Sequence, residues 1–98
     1  MDALDELRRR IDALDEQLVA LLNQRASCAL EIGRLKDAAG LPVYQPSREA
    51  EVLANVRRHN AGPLDAAAMT RLFERIIDEA RRLERQASEA GKEHPGGD

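Results

Sequence analysis

The sequence predicts an all-α domain of three helices per chain, the first of them very long, completed by a second copy in an intertwined helical homodimer. Three observations predict it. Apolar residues recur at heptad spacing up to Leu35, a stretch that holds no proline and only one glycine, Gly33. The apolar 43% of the chain includes one Phe, one Tyr and no Trp, which leaves Leu, Ile, Val and Ala to build the core and favours helices. And 98 residues stand near the lower limit for a core that sustains itself without disulfides, metals or association.

The first helix is expected over residues 2–39, with Leu4, Leu7, Ile11, Leu14, Leu18, Leu21, Cys28, Ile32 and Leu35 on one stripe. About 36 helical residues extend about 54 Å, whereas a compact chain of this size has a radius of gyration of about 13 Å. Such a helix cannot bury its stripe within its own chain. Val19, Leu22, Ala26, Ala29 and Leu30 widen the stripe beyond a two-stranded seam, so several helices must pack around it. An intertwined dimer supplies them.

Gly40 is a helix stop, and Pro42 and Pro46 bracket an extended connection. A second, shorter helix follows from Pro46 or Ser47 to His59, with Val52, Leu53 and Val56 on its apolar side and Arg48 and Glu49 in its first turn. Asn60-Ala61-Gly62-Pro63 ends it. The third begins with Asp65 as N-cap, continues through Met69, Leu72, Phe73, Ile76, Ile77, Ala80, Leu83 and Ala87, and is expected to fade before Gly91. Residues 1–90 thus read as the folded domain. Residues 91–98 contain no apolar side chain and read as a disordered tail or a linker.

Several function classes drop out on charge and composition. The net charge of −3 is small and its signs are interspersed, so no field points to nucleic acid or to an anionic membrane. Arg57, Arg58, Arg71, Arg75, Arg81, Arg82 and Arg85 mix with Glu74, Asp78, Glu79 and Glu89 as solvated helix faces, without the aromatic interleaving that stacks bases. Cys28 is the single cysteine, which excludes an intrachain disulfide, fits a reducing compartment and is expected in the core. No stretch approaches the roughly 20 apolar residues of a membrane span. The acidic N-terminus is unlike a secretory leader, so a cytoplasmic location is expected. His59 and His94 lie far apart without partners at ligand spacing, so no metal is expected. Neither a glycine-rich phosphate loop nor a nucleophile with an adjacent base is evident.

Charges stand where apolar residues are expected. The heptad of the first helix falls on Arg25 between Leu21 and Cys28, and an unpaired guanidinium buried there is costly, so a buried anion pocket is predicted around it. Lys36, eleven residues on, faces nearly the same way about 16 Å along the axis. On the third helix Glu84 follows Phe73 by eleven residues and Ile77 by seven, on the same apolar stripe. An inward carboxyl there either pairs with a cation or is protonated and donates a hydrogen bond. By residue type alone Arg48 and Glu49 also fit a solvated first turn, and Arg8 a solvated arginine run. A pocket of Arg, Lys and carboxyl groups without a cofactor motif or nucleophile suits a reaction that needs a bound conformation and stabilised negative charge on oxygen. A pericyclic rearrangement of a polyanion is such a reaction.

Leu7-Arg8-Arg9-Arg10-Ile11-Asp12-Ala13-Leu14-Asp15, Leu21-Leu22-Asn23-Gln24-Arg25, Glu31-Ile32-Gly33-Arg34-Leu35-Lys36, Pro42-Val43, Arg48-Glu49 and Thr70-Arg71-Leu72-Phe73 together resemble the helical, type II chorismate mutases. The chain looks most like the form that stands alone or precedes prephenate dehydratase in bifunctional bacterial enzymes. The resemblance implies a cofactor-free, metal-free conversion of chorismate to prephenate by an intertwined homodimer. It places Arg25 on a substrate carboxylate, Lys36 on the ether oxygen and a carboxylate, Arg48 on the anion and Glu49 on the ring hydroxyl. Arg8 would come from the other protomer, since it lies seventeen residues, about 25 Å, from Arg25 along one helix.

Three substrate-binding positions depart from the family pattern. Gln45 stands where some relatives have Asp, Ala80 where a carboxylate-contacting Ser is frequent, and Glu84 where others carry Gln. A Gln amide always donates to the ether oxygen, whereas Glu84 does so only when protonated. The alternatives to a mutase are the related isochorismate-pyruvate lyase, using the same cations, and a non-catalytic helical module for dimerisation or metabolite sensing.

Overall fold

The computed structural model describes residues 2–93, and these form three α-helices in the order α1 (Ala3–Ala39), α2 (Pro46–His59) and α3 (Ala66–Glu93). Local chemistry sets each boundary. Asp2 caps α1, its carboxylate accepting from the Asp5 N–H at 2.9 Å, while Asp5 and Glu6 face the positive end of the helix dipole. At the other end Gly40 takes the left-handed conformation (φ 70°), which lets its N–H reach the Asp37 carbonyl at 3.2 Å and the Leu41 N–H reach that of Lys36 at 2.8 Å. Glycine suits that turn because it has no Cβ to clash.

Pro46 opens α2 at a position where the absent N–H costs nothing. Asp65 caps α3 by accepting from the Ala68 N–H at 2.7 Å. The third helix does not fade before Gly91 but runs through it to Glu93. One helical glycine costs only about 1 kcal/mol relative to alanine, and here it is flanked by Ala90 and by Lys92 and Glu93, good helix formers. The remainder of the expected tail lies outside the described residues.

α3 packs against both α1 and α2, and among the described residues no Cα atom of α1 comes within 8 Å of one in α2. The C-terminal half of α1 lies along α3, with Gly33 against Glu84 and the Ser88 hydroxyl bonded to the Asp37 carboxylate at 3.2 Å. The N-terminal half projects beyond any other helix of the chain. The molecule measures 63 × 31 × 15 Å with a radius of gyration of 17.7 Å, against about 13 Å for a compact chain of this length. Leu7, Ile11, Leu14, Leu18 and Leu21 are 50–59% exposed. The heptad stripe is therefore uncovered by its own chain. Cys28, expected in the core, is exposed as well, because it lies on the same stripe one turn before Ile32, itself 49% exposed. Among the described residues no helix is long and apolar enough to cross a membrane.

Candidate active site

All three helices contribute to one groove of about 540 Å³, a volume suited to a small molecule. α1 presents Arg25, Cys28, Ile32 and Lys36; α2 presents Arg48, Glu49 and Val52; α3 presents Ile77, Ala80, Arg81 and Glu84. Leu41, Val43 and Gln45 border it from the connection between α1 and α2.

At its floor sits an ion pair. Lys36 lies in the last turn of α1, after which Gly40 turns the chain back so that the Val43 carbonyl faces the lysine. Its Nζ donates to Val43 O at 3.1 Å and to Glu84 Oε1 at 3.2 Å, with the two side chains only 17% and 9% exposed. Glu84 reaches this depth because α1 carries a glycine opposite it. A Cβ built on Gly33 would stand 3.2 Å from Glu84 Cγ and 3.5 Å from Cβ and Oε1, so any larger residue crowds the carboxylate.

A second ion pair forms one wall. Arg81 Nη2 donates to both carboxylate oxygens of Glu49, at 3.0 and 2.8 Å, and to Asp78 Oδ1 at 3.3 Å. The Arg81 guanidinium lies over the Tyr44 ring, 4.9 Å from its centroid, a cation–π contact. Arg48 stands at the rim, 70% exposed, with Glu51 at 3.2 Å. Gln45 donates its amide to the Pro42 carbonyl at 3.0 Å, bracing the connection. Counted over the groove, four cations (Arg25, Lys36, Arg48, Arg81) face two carboxylates (Glu49, Glu84), leaving an excess of two positive charges. Such an excess is complementary to a dicarboxylate. Among the described residues no three His, Cys, Asp or Glu side chains gather as metal ligands.

A family model described as chorismate mutase type II matches residues 7–85. The chain belongs to that family. It is 43% identical over 88 residues to a bifunctional chorismate mutase/prephenate dehydratase of Stutzerimonas stutzeri, covering 85% of this chain and 24% of that protein. The chain thus spans about a quarter of the length of that bifunctional relative. It is 40% identical over 84 residues to a 4-amino-4-deoxychorismate mutase of Streptomyces pristinaespiralis, covering 85% of this chain and 65% of that one. The crystal structure of a Helicobacter pylori chorismate mutase in complex with prephenate superposes with a TM-score of 0.81 at 31% identity, covering 88% of this chain and 93% of that one.

Arg25, Lys36 and Glu84, singled out by their spacing on the helices, line the groove together with Gln45, Arg48, Glu49 and Ala80. Arg25 is half-buried rather than buried in the single chain, because the same helix face that carries it is uncovered. Arg8 is exposed on the projecting half of α1 and does not line the groove of its own chain. Arg81 corrects the expectation that it belongs to a solvated helix face. It is 22% exposed and its main partner lies on another helix, 32 residues away. The signal was present in the spacing: Arg81 follows Ile77 by four residues and precedes Glu84 by three, which puts it on the edge of the apolar stripe. Gly33 carries a weaker signal of the same kind, since a glycine inside a long helix asks for a packing reason.

Proposed function

We propose that this chain is a cofactor-free chorismate mutase that rearranges chorismate to prephenate for phenylalanine and tyrosine biosynthesis, in a groove completed by a second copy. The observation that carries the reading is the Lys36–Glu84 pair at the floor of a groove with two excess positive charges. In this rearrangement an ether C–O bond breaks as a C–C bond forms within one molecule, so no nucleophile or redox group is required. The protein has to hold the two ends together and stabilise the negative charge that develops on the ether oxygen.

The residues divide that work. Arg25 and Arg48 take the substrate carboxylates, and folding the dianion between them brings the reacting carbons together. Lys36 has three N–H donors, two of which meet Val43 O and Glu84 Oε1, and the third serves the ether oxygen. Glu84 accepts from Lys36 and so fixes the place of that Nζ beneath the ether oxygen; only as the neutral acid would it be a second donor itself. The Glu49 carboxylate accepts from the ring hydroxyl, and Gln45 and Ala80 border the substrate.

The uncovered stripe of α1 supports the homodimer. A second α1 laid on Leu7, Ile11, Leu14, Leu18 and Leu21 removes from water a row of side chains worth about 1.5–3 kcal/mol each when fully buried. The same arrangement brings Arg8 of the partner subunit toward the open side of the groove as a further cation for the dianion.

The test is the loss of chorismate absorbance with wild type and Arg25→Ala, run beside an assay for pyruvate release from isochorismate. Wild type should consume chorismate, and Arg25→Ala should lose about 10²-fold or more in turnover. A folded wild-type dimer that leaves chorismate untouched, or that releases pyruvate from isochorismate in its place, overturns the reading.

A further inference from the structure

Arg81 is held more tightly than a wall residue needs to be. Its Nη2 spans both oxygens of Glu49 at 3.0 and 2.8 Å, and its guanidinium rests on the Tyr44 ring. The two charged side chains are only 22% and 26% exposed. Yet Arg81 Nε is buried with no hydrogen-bond partner. An ion pair that strands a buried donor is a poor device for stability, since an apolar pair of similar size would fold at least as well. What the arrangement secures is the place and charge of one carboxylate at the groove.

We propose that Arg81 is a positioning and specificity-determining residue: stacked on Tyr44, it orients Glu49 and offsets its charge, so that the site takes a neutral hydroxyl in preference to a cationic amine. The inference rests on the reading that Glu49 receives the ring hydroxyl. A carboxylate has about four acceptor positions, and Arg81 occupies one on each oxygen, which leaves lone pairs aimed elsewhere. A hydroxyl needs only such a lone pair. An amine at the same carbon is largely protonated near neutral pH and gains most from a bare negative charge. With Arg81 beside it Glu49 no longer supplies that charge, and the guanidinium itself repels a second cation.

The experiment compares wild type, Arg81→Met, Arg81→Lys and Tyr44→Leu on chorismate and on 4-amino-4-deoxychorismate, reading KM and kcat separately. The ratio of kcat/KM for the amine to that for the alcohol is independent of the folded fraction, so a merely structural loss does not move it. Arg81→Met is expected to raise KM for chorismate and to shift the ratio toward the amine by about tenfold. Arg81→Lys, which keeps the charge, should restore most of the wild-type ratio, and Tyr44→Leu should shift it less than Arg81→Met. An unchanged ratio in Arg81→Met, whatever the loss of activity, overturns the inference. A wild type inactive on chorismate fails earlier and differently, because it removes the mutase reading and this one with it.

Discussion

Gly33→Ala separates the stability of this protein from its activity. Replacing a glycine in the middle of a helix by alanine raises helix stability by about 1 kcal/mol, which for a domain of this size corresponds to about 4–8 °C in Tm. Against that gain stands the methyl group itself. At 3.2 Å from Glu84 Cγ it is inside the usual carbon–carbon separation of about 3.5–4.0 Å. Glu84 therefore gives way by a few tenths of an ångström, away from α1 and from the Lys36 Nζ now 3.2 Å from its Oε1. If a misplacement of 1 Å costs about 10²-fold in rate, a shift of about 0.3 Å costs about fourfold. The expected outcome is a Tm at or above that of wild type, measured by circular dichroism, with turnover of chorismate reduced several-fold. A variant with raised Tm and undiminished kcat would refute the claim that the close approach of Gly33 sets the position of Glu84.

Further variants examine the other parts of the site. Lys36→Met should lower stability by about 3 kcal/mol, because it leaves Glu84, 9% exposed, without its cation. Adding Glu84→Leu should recover most of that stability in denaturant titrations but none of the activity, and recovery of activity would contradict the role given to Lys36. Glu84→Gln tests the donor requirement. An amide always donates whereas a carboxylate only accepts, so Glu84→Gln should turn chorismate over at least as fast as wild type; a folded variant slower by about tenfold or more would remove the donor role from position 84. Finally, Arg8→Ala and Arg25→Ala are each expected to be nearly inactive, yet their mixture after unfolding and refolding should regain about one quarter of wild-type activity, since half of the dimers formed are hybrids with one intact site. No regain in the mixture would mean that Arg8 does not cross between chains.

Where the sequence was legible, one physical signal dominated. The three helices and most of their ends follow from apolar periodicity with Asp2, Gly40, Pro46 and Asp65 at the boundaries, all local chemistry that a single chain displays. Arg25 and Glu84 are legible because each charge breaks an apolar stripe, a break visible without knowing the partner, and Lys36 because it lies eleven residues from Arg25 on nearly the same face. Arg81 makes no such break, because it borders the stripe instead of interrupting it. At an edge position an arginine extended into water and one folded over Tyr44 have identical spacing, and only a partner 32 residues away on α2 decides between them. Gly33 hid for the complementary reason, as an absence of side chain whose purpose depends on a carboxylate from another helix.

The same contrast explains why this fold needs its length. A helix confined to the part that α3 covers would hold Lys36 opposite Glu84 and Gly33 beneath it, and the groove floor would already be complete. The projecting half of α1 adds nothing to that floor, and its exposed leucines are a liability for a solitary chain. Its length is accounted for if it delivers something to a site it cannot reach in its own chain. Arg8 is the cation at the far end of that projection, about 25 Å from Arg25. In the proposed dimer association and catalysis are one design, in which the stripe that would fasten two chains also carries the arginine each would lend the other. Shortening α1 from its N-terminus should therefore weaken dimer formation and turnover together, with no variant in that series keeping one while losing the other.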